Sequence, residues 1–137
     1  MGKAIMGAVV SLDGFIADDG DDVRPLFDWY GNGDVTWSFP GTDDEFRTTQ
    51  ASADFMQSHY RDVAAVVIGR RLFDLTSGQA LKLGLIDQVV VNQVPEAFGS
   101  GRPFFATGRL AEPLLMENPS TIVRGDRVTH LVYDISR

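Results

Sequence analysis

The sequence predicts one α/β domain: a mixed, mostly parallel central sheet flanked by helices, with an antiparallel hairpin at its C-terminal end. Three observations carry that expectation. Apolar runs at 3–10, 63–68 and 85–94 lack polar alternation, as strands covered on both faces do. A helix-start signature, Thr42-Asp43-Asp44-Glu45, stands between the first two runs, the arrangement of a βαβ crossover. Beyond Glu112 the apolar stretches become short and are separated by Asn118-Pro119 and Gly125-Asp126. With 137 residues, 44% of them hydrophobic, the chain can enclose one core but not two, so residues 1–137 are read as a single domain.

Taken in order, the first run ends in β-branched residues and stops at Ser11-Leu12-Asp13-Gly14. Residues 18–41 are rich in Asp, Gly and Pro, yet they hold Phe27, Trp29, Tyr30, Trp37 and Phe39. Disordered segments are poor in aromatics, so this is an ordered excursion. From the capping box at Thr42 a helix is expected. Phe46, Ala53, Met56 and Tyr60 fall on one stripe at helical spacing, and Arg47, Gln50, Asp54 and Gln57 lie mainly on the other face. After the second run, Gly69-Arg70-Arg71-Leu72-Phe73 opens a short helix that Thr76-Ser77-Gly78 breaks. Ser77 can cap another through Leu83, with Gly84 in the left-handed position that ends it. The third run, 85–94, is a buried strand. Segments 112–116, 121–124 and 128–135 read as an antiparallel meander with Gly125-Asp126 at the turn, and Thr129, Leu131, Tyr133 and Ile135 share one half-buried face.

Composition excludes several classes. A formal net charge of -7 opposes attraction to a phosphate backbone, so nucleic acid is not an expected partner. There is no cysteine, hence no thiolate nucleophile, disulfide framework or Cys-ligated metal. No apolar run approaches the roughly 20 residues that span a bilayer. The opening MGKAIMGAVV leads into SLDGF and reads as a strand, not a signal peptide, so the expected location is the cytoplasm. Asp18-Asp19-Gly20-Asp21-Asp22 lacks the ligand spacing of a calcium loop and reads as a solvated turn. Gly99-Ser100-Gly101-Arg102 is not followed by a helix and reads as a flexible turn, not a phosphate loop. His59 and His130 share no ligand spacing and no nucleophile, so neither receives a metal or triad role.

Four strings occur in order: AVVSLDGFIA, VVIGRRLFD, LIDQVVVNQVPEAFGSGRPFF and VTHLVYDIS. Together they resemble the dihydrofolate-reductase-like family that includes the C-terminal reductase domain of the bifunctional riboflavin-biosynthesis deaminase/reductase. The resemblance implies a dihydrofolate-reductase-like three-layer fold, NADPH as hydride donor, a pterin or ribosylaminouracil-type heterocycle as substrate, and a homodimer. It also implies roles by position. Ala8 and Val9 would offer backbone groups to the nicotinamide carboxamide, and Gly69, Arg70 and Arg71 would hold the NADPH phosphates. The loop over the reacting ring would comprise Ser11, Asp13, Gly14 and Phe15. In it Asp13 is the catalytic candidate, Gly14 faces cofactor, and Ser11 and Phe15 face substrate.

The residues by themselves leave alternatives. Asp13-Gly14 is also an ordinary turn. Arginines at a helix start are often solvent-facing, although guanidinium pairs well with phosphate. Trp29, Tyr30 and Trp37 could stack on a flat heterocycle, with Trp37 the substrate-binding candidate, or could cover the core. Asp44 and Glu45 could meet substrate nitrogen atoms or simply serve the helix start. The chain also departs from the family. After Gly78 the strands, helix and Gly-Gly loop that would cradle a pyrophosphate are missing, so the sheet is expected to be shortened. Two functions follow: an NADPH-dependent reductase, or a catalytically inert ligand-binding or dimerisation module.

Overall fold

The first apolar run forms β1 (Ile5–Ser11) in the computed structural model of the protein, which describes residues 2–23, 25–63, 84–105 and 112–135. A tight turn leads to β2 (Phe15–Ala17), and the excursion that follows contains a single 3-10 turn at Asp28–Gly31 and the short strand β3 (Val35–Trp37). Then come β4 (Phe46–Thr48), helix α1 (Gln50–His59), β5 (Gln88–Val94), β6 (Arg102–Pro103) and the hairpin strands β7 (Thr121–Arg124) and β8 (Thr129–Asp134).

Among the described residues, four strands make the main sheet in the order β1-β5-β8-β7. The β1–β5 junction is parallel, and the β5–β8 and β7–β8 junctions are antiparallel. Among the described strands the sheet is therefore mixed, not mostly parallel; of the expected strand 63–68, all but Val63 lies outside the described residues. Two ribbons, β2–β6 and β3–β4, flank the sheet. Both sheet faces are covered, which explains the apolar runs. Val9, Val90, Val94 and Val132 pack toward α1 and the aromatic excursion, while Met6, Val10 and Val89 pack with Phe104 on the opposite face. No described helix is long and apolar enough to cross a membrane.

The helix starts seven residues later than the capping box predicts. Thr49, not Thr42, is the cap, its side chain accepting from the Ser52 amide at 3.2 Å. Thr42 instead closes a turn, its hydroxyl donating to the Phe39 carbonyl at 3.0 Å. The reason is a nonlocal competition. Residues 46–48 pair with 35–37, which brings the Phe46 ring to 4.6 Å from Tyr30 and 4.9 Å from Trp37. Aromatic contacts of roughly 0.5–1.5 kcal/mol each, added to the burial of apolar area, outweigh a cap of roughly 1 kcal/mol.

Three smaller expectations shift as well. Residues 112–116 form no strand, and Leu115 is 93% exposed. Leu85 is also exposed, and β5 begins only at Gln88, after Asp87 has exchanged hydrogen bonds with Ala4. In β8 the half-buried face is indeed that of Thr129, Leu131 and Tyr133, but His130 and Val132 on the other face are buried more deeply. Gly84 adopts the expected left-handed conformation at φ 69°. The short helices expected between Gly69 and Leu83, and the junction after Gly78, lie outside the described residues.

Candidate functional site

A groove of about 310 Å³ lies on the α1 side of β1. Its floor is the strand segment Gly7, Ala8 and Val9 together with Asn92 of β5. Its walls are Ile16, Val23, Met56 and four aromatics, Phe27, Tyr30, Phe39 and Tyr60. Local sequence places these rings. The 3-10 turn stacks Tyr30 on Trp29 at 4.3 Å and on Phe27 at 5.5 Å, so the side chains of residues 27–30 form a slab. Phe39 meets Tyr60 edge-on at 6.1 Å. Among the described residues, the polar side chains in the lining are two phenols and one carboxamide, a set that suits a flat, uncharged ring.

Neither phenol is an acid at neutral pH. Burial, reinforced by neighbouring Tyr60, pushes Tyr30 up to about 12. Burial also raises Tyr60, with a hydrogen bond from Asn92 partly opposing it. Both hydroxyls stay protonated and act as hydrogen-bonding groups.

The turn after β1 is locked. Buried Ser11 donates to Asp13 Oδ1 at 2.6 Å and accepts from the Phe15 amide at 2.9 Å. The Asp13 carboxylate also takes the Phe98 amide at 3.1 Å and the Gly99 amide at 2.7 Å. These contacts, the Ser11 hydroxyl foremost, hold Asp13 below the usual carboxylate range. Gly14 takes φ 93°, and its carbonyl accepts from the Phe104 amide at 2.8 Å. Thus Ser11, Asp13, Gly14 and Phe15 tie the end of β1 to the segment around residues 98–104. The Asp18 run is a turn of similar construction, with Asp18 Oδ1 accepting from the Gly20 and Asp22 amides.

Of the residues singled out from sequence, Ala8 and Val9 line the groove. Trp37 does not: it is buried in the aromatic core, where its indole donates to Thr48 Oγ1 at 2.9 Å, so its place is structural cover and not a ligand-facing wall. Phe15 pairs with Pro103 in the β2–β6 ribbon, and the neighbouring Ile16 reaches the groove instead. Gly69, Arg70 and Arg71 lie outside the described residues.

Sequence reasoning missed Tyr60, Asn92 and the polar row beneath them. His130 is fully buried, with Nδ1 2.7 Å from Asn92 Oδ1 and Nε2 2.8 Å from Ser52 Oγ. Its ring stacks on Phe55 at 4.6 Å and meets Trp29 edge-on at 5.3 Å. Burial lowers its pKa to about 4, so the imidazole is neutral. A serine, a histidine and an asparagine in line have the spacing of a nucleophilic triad. Ser52 is only 1% exposed, however, so the trio is enclosed in the core. Among the described residues no three His, Asp or Glu side chains converge as a metal site.

No family model matches the chain, and no curated protein matches it. Among solved structures, the chain is similar in fold to a proposed riboflavin biosynthesis protein from Shewanella sp. PV-4. The two share 18% identity at a TM-score of 0.53, and the match covers 99% of this chain and 100% of the other.

Proposed function

We propose that this protein is an NADPH-dependent reductase of a small heterocycle, of the pterin or ribosylaminouracil kind, in riboflavin- or folate-type metabolism. A dihydrofolate-reductase-like three-layer arrangement, a cytoplasmic location and a homodimer belong to the same proposal. The observation that carries it is the groove beside Ala8 and Val9, floored by strand backbone and walled by stacked aromatics. The fold similarity to a proposed riboflavin biosynthesis protein points the same way.

The groove fits part of the cofactor. At about 310 Å³ it is at the lower end of the roughly 300–1,000 Å³ of small-ligand sites, enough for one ring system and not for a dinucleotide. Ala8 and Val9 would hold the carboxamide through backbone groups, and Arg70 and Arg71 would take the phosphates. Bound NADPH supplies the hydride. The chain supplies positioning: aromatic walls exclude water, and the Tyr30 and Tyr60 hydroxyls orient polar edges. Asp13 keeps the turn against residues 98–99. Among the described residues, no side chain lining the groove has a pKa suited to proton transfer near neutrality, and in this reading the proton that accompanies hydride comes from water or substrate.

That same observation favours a second reading, a ligand-binding module without chemistry. Titration with NADPH followed by nicotinamide fluorescence separates them. The reductase requires saturable binding weakened by Arg70→Ala and Arg71→Ala, then oxidation of the cofactor when a pterin or ribosylaminouracil is added. Heterocycle binding without any response to millimolar NADPH would leave the second reading in its place.

A further inference from the structure

A second pocket, of about 220 Å³, lies at the rim of the main sheet, where the β7–β8 hairpin turns beside the end of β5. It shares no lining residue with the groove. Strand register explains which side chains meet there. Arg124 of β7 stands opposite Thr129 of β8, Thr129 stands opposite Gln93 of β5, and Gln93 stands opposite Val10 of β1. Residues opposite one another on adjacent strands point to the same face. Val10 packs with Met6 and Phe104, whereas Val9, which lines the groove, packs toward α1. The row Arg124, Thr129, Gln93 therefore faces away from the groove, and a molecule held by it is a second ligand, not an extension of the first.

The fourth polar side chain comes from the turn itself. The Gly125 amide closes that turn, donating to the Val128 carbonyl at 2.9 Å. Arg127 takes φ 61°, a left-handed conformation that non-glycine residues seldom adopt and that glycine would hold without strain. Its Nη2 donates to Glu96 Oε1 at 2.9 Å, and Glu96 is anchored in turn, its carbonyl accepting from the Leu12 amide at 2.7 Å. Arg127 lines the pocket, and Glu96 does not. A guanidinium has five N–H donors, so this one contact fixes Arg127 and leaves most of its fork for a ligand. Arg124, Gln93 and Thr129 have no side-chain hydrogen bond or ion pair among the described residues.

Local charge runs against that of the whole chain. The protein has 19 acidic residues against 12 Lys and Arg, yet the described lining holds two arginines and no carboxylate. Two guanidinium groups around one pocket repel each other, and an anion between them relieves the repulsion. Leu12, Pro95 and Val128 add an apolar wall. The volume is below the roughly 300–1,000 Å³ of drug-sized sites, which suits a short carbon chain with one anionic group. A phosphomonoester, close to doubly charged at neutral pH, matches two arginines better than a carboxylate does.

We propose that this pocket binds small phosphomonoesters, with Arg124 and Arg127 on the phosphate, Gln93 and Thr129 donating to its oxygens, and Leu12 and Pro95 against the carbon chain. The site is independent of what the groove takes.

Glycerol 3-phosphate is the test ligand, with glycerate and glycerol as its carboxylate and uncharged counterparts. In chemical-shift titrations of the labelled full chain at neutral pH and about 0.15 M salt, glycerol 3-phosphate should shift the amides of residues 124–129 saturably, with a dissociation constant of about a millimolar. Glycerate should bind about fivefold more weakly, and glycerol not at all. Arg124→Ala and Arg127→Gly should each weaken phosphate binding by about tenfold. Arg127→Gly is the decisive variant: glycine suits φ 61°, so the urea midpoint should hold or rise while binding falls, a divergence that a purely structural arginine would not give. No saturable shift up to roughly 50 mM glycerol 3-phosphate, equal affinity for glycerate, or unchanged binding in either arginine variant overturns the proposal.

Discussion

Acid should weaken this protein by more than its carboxylates require, because of His130. The imidazole packs against Phe55 and Trp29 and hydrogen-bonds Asn92 and Ser52, with no charged partner among the described residues, and burial lowers its pKa from 6.5 to about 4. Protonation need not break a hydrogen bond, since the Ser52 hydroxyl can turn to accept. What is lost is the hydration of the new charge. Between 6.5 and about 4 the unfolded chain holds a proton that the folded chain refuses, so acidification favours unfolding across that window. The stability is fully present above 6.5, and the loss levels off below about 4, where both states are protonated. From about pH 7 to about pH 4.5 the linkage amounts to ~2.5 kcal/mol, a large share of the roughly 5–15 kcal/mol that holds a domain of this size.

Urea unfolding followed by circular dichroism at those two pH values, on the unmodified chain and on His130→Gln, measures the effect. The variant should be less stable near neutrality by about 1–3 kcal/mol, through lost packing and hydrogen bonds. Its loss on acidification should nevertheless be smaller by ~2.5 kcal/mol. The comparison isolates His130 because both proteins keep the other shifted groups. These are Asp13, lowered chiefly by Ser11, Asp134, lowered chiefly by Gln88, and His59, lowered chiefly by burial. Equal acid losses would mean that the native imidazole is already hydrated or charged. They would refute its enclosure.

Other substitutions test the frame around the groove. Thr49→Ala should cost about 1 kcal/mol in thermal or urea unfolding, and Thr42→Ala less than about 0.5 kcal/mol; the reverse order would restore the capping box as the helix start. Gly101→Ala should destabilise by about 3 kcal/mol, since φ is 145° and a Cβ there would collide with the Ala17 carbonyl; an unchanged midpoint would refute the close β2–β6 approach. Asp13→Asn should speed hydrogen exchange at the Gly99 amide, and unchanged protection would show that the carboxylate is not the tie. In an ultraviolet titration, Tyr30 should ionise near pH 12, and a normal titration of all three tyrosines would contradict its burial.

What was legible in the sequence was what short range decides. Apolar runs marked most of β1 and all of β5, because strands covered on both faces need no alternation, and the hairpin strand at Thr121–Arg124 was placed to the residue by the Gly125-Asp126 turn. The helix start was misplaced because the decisive partner of Phe46 is Trp37, which no local spacing reveals. The polar row was hidden for the same reason: Ala8 and Asn92 are 84 positions apart, and Asn92 and His130 are 38 apart, so only the strand register unites them.

Asp13 shows the converse, a residue whose conspicuous setting invites a chemical role that its contacts oppose. Its two oxygens accept from one hydroxyl and from amides 85 and 86 positions away, which joins the end of β1 to the segment after β5. Each of those donors stabilises the ionised form, and a carboxylate held below its ordinary range is a poorer base and is not protonated to serve as an acid at neutral pH. With both phenols shifted the other way, the groove and its adjoining turn contain groups that hold protons too firmly or too weakly to exchange them near neutrality. Under the proposed reductase reading, the described residues would therefore contribute by placing the reacting rings.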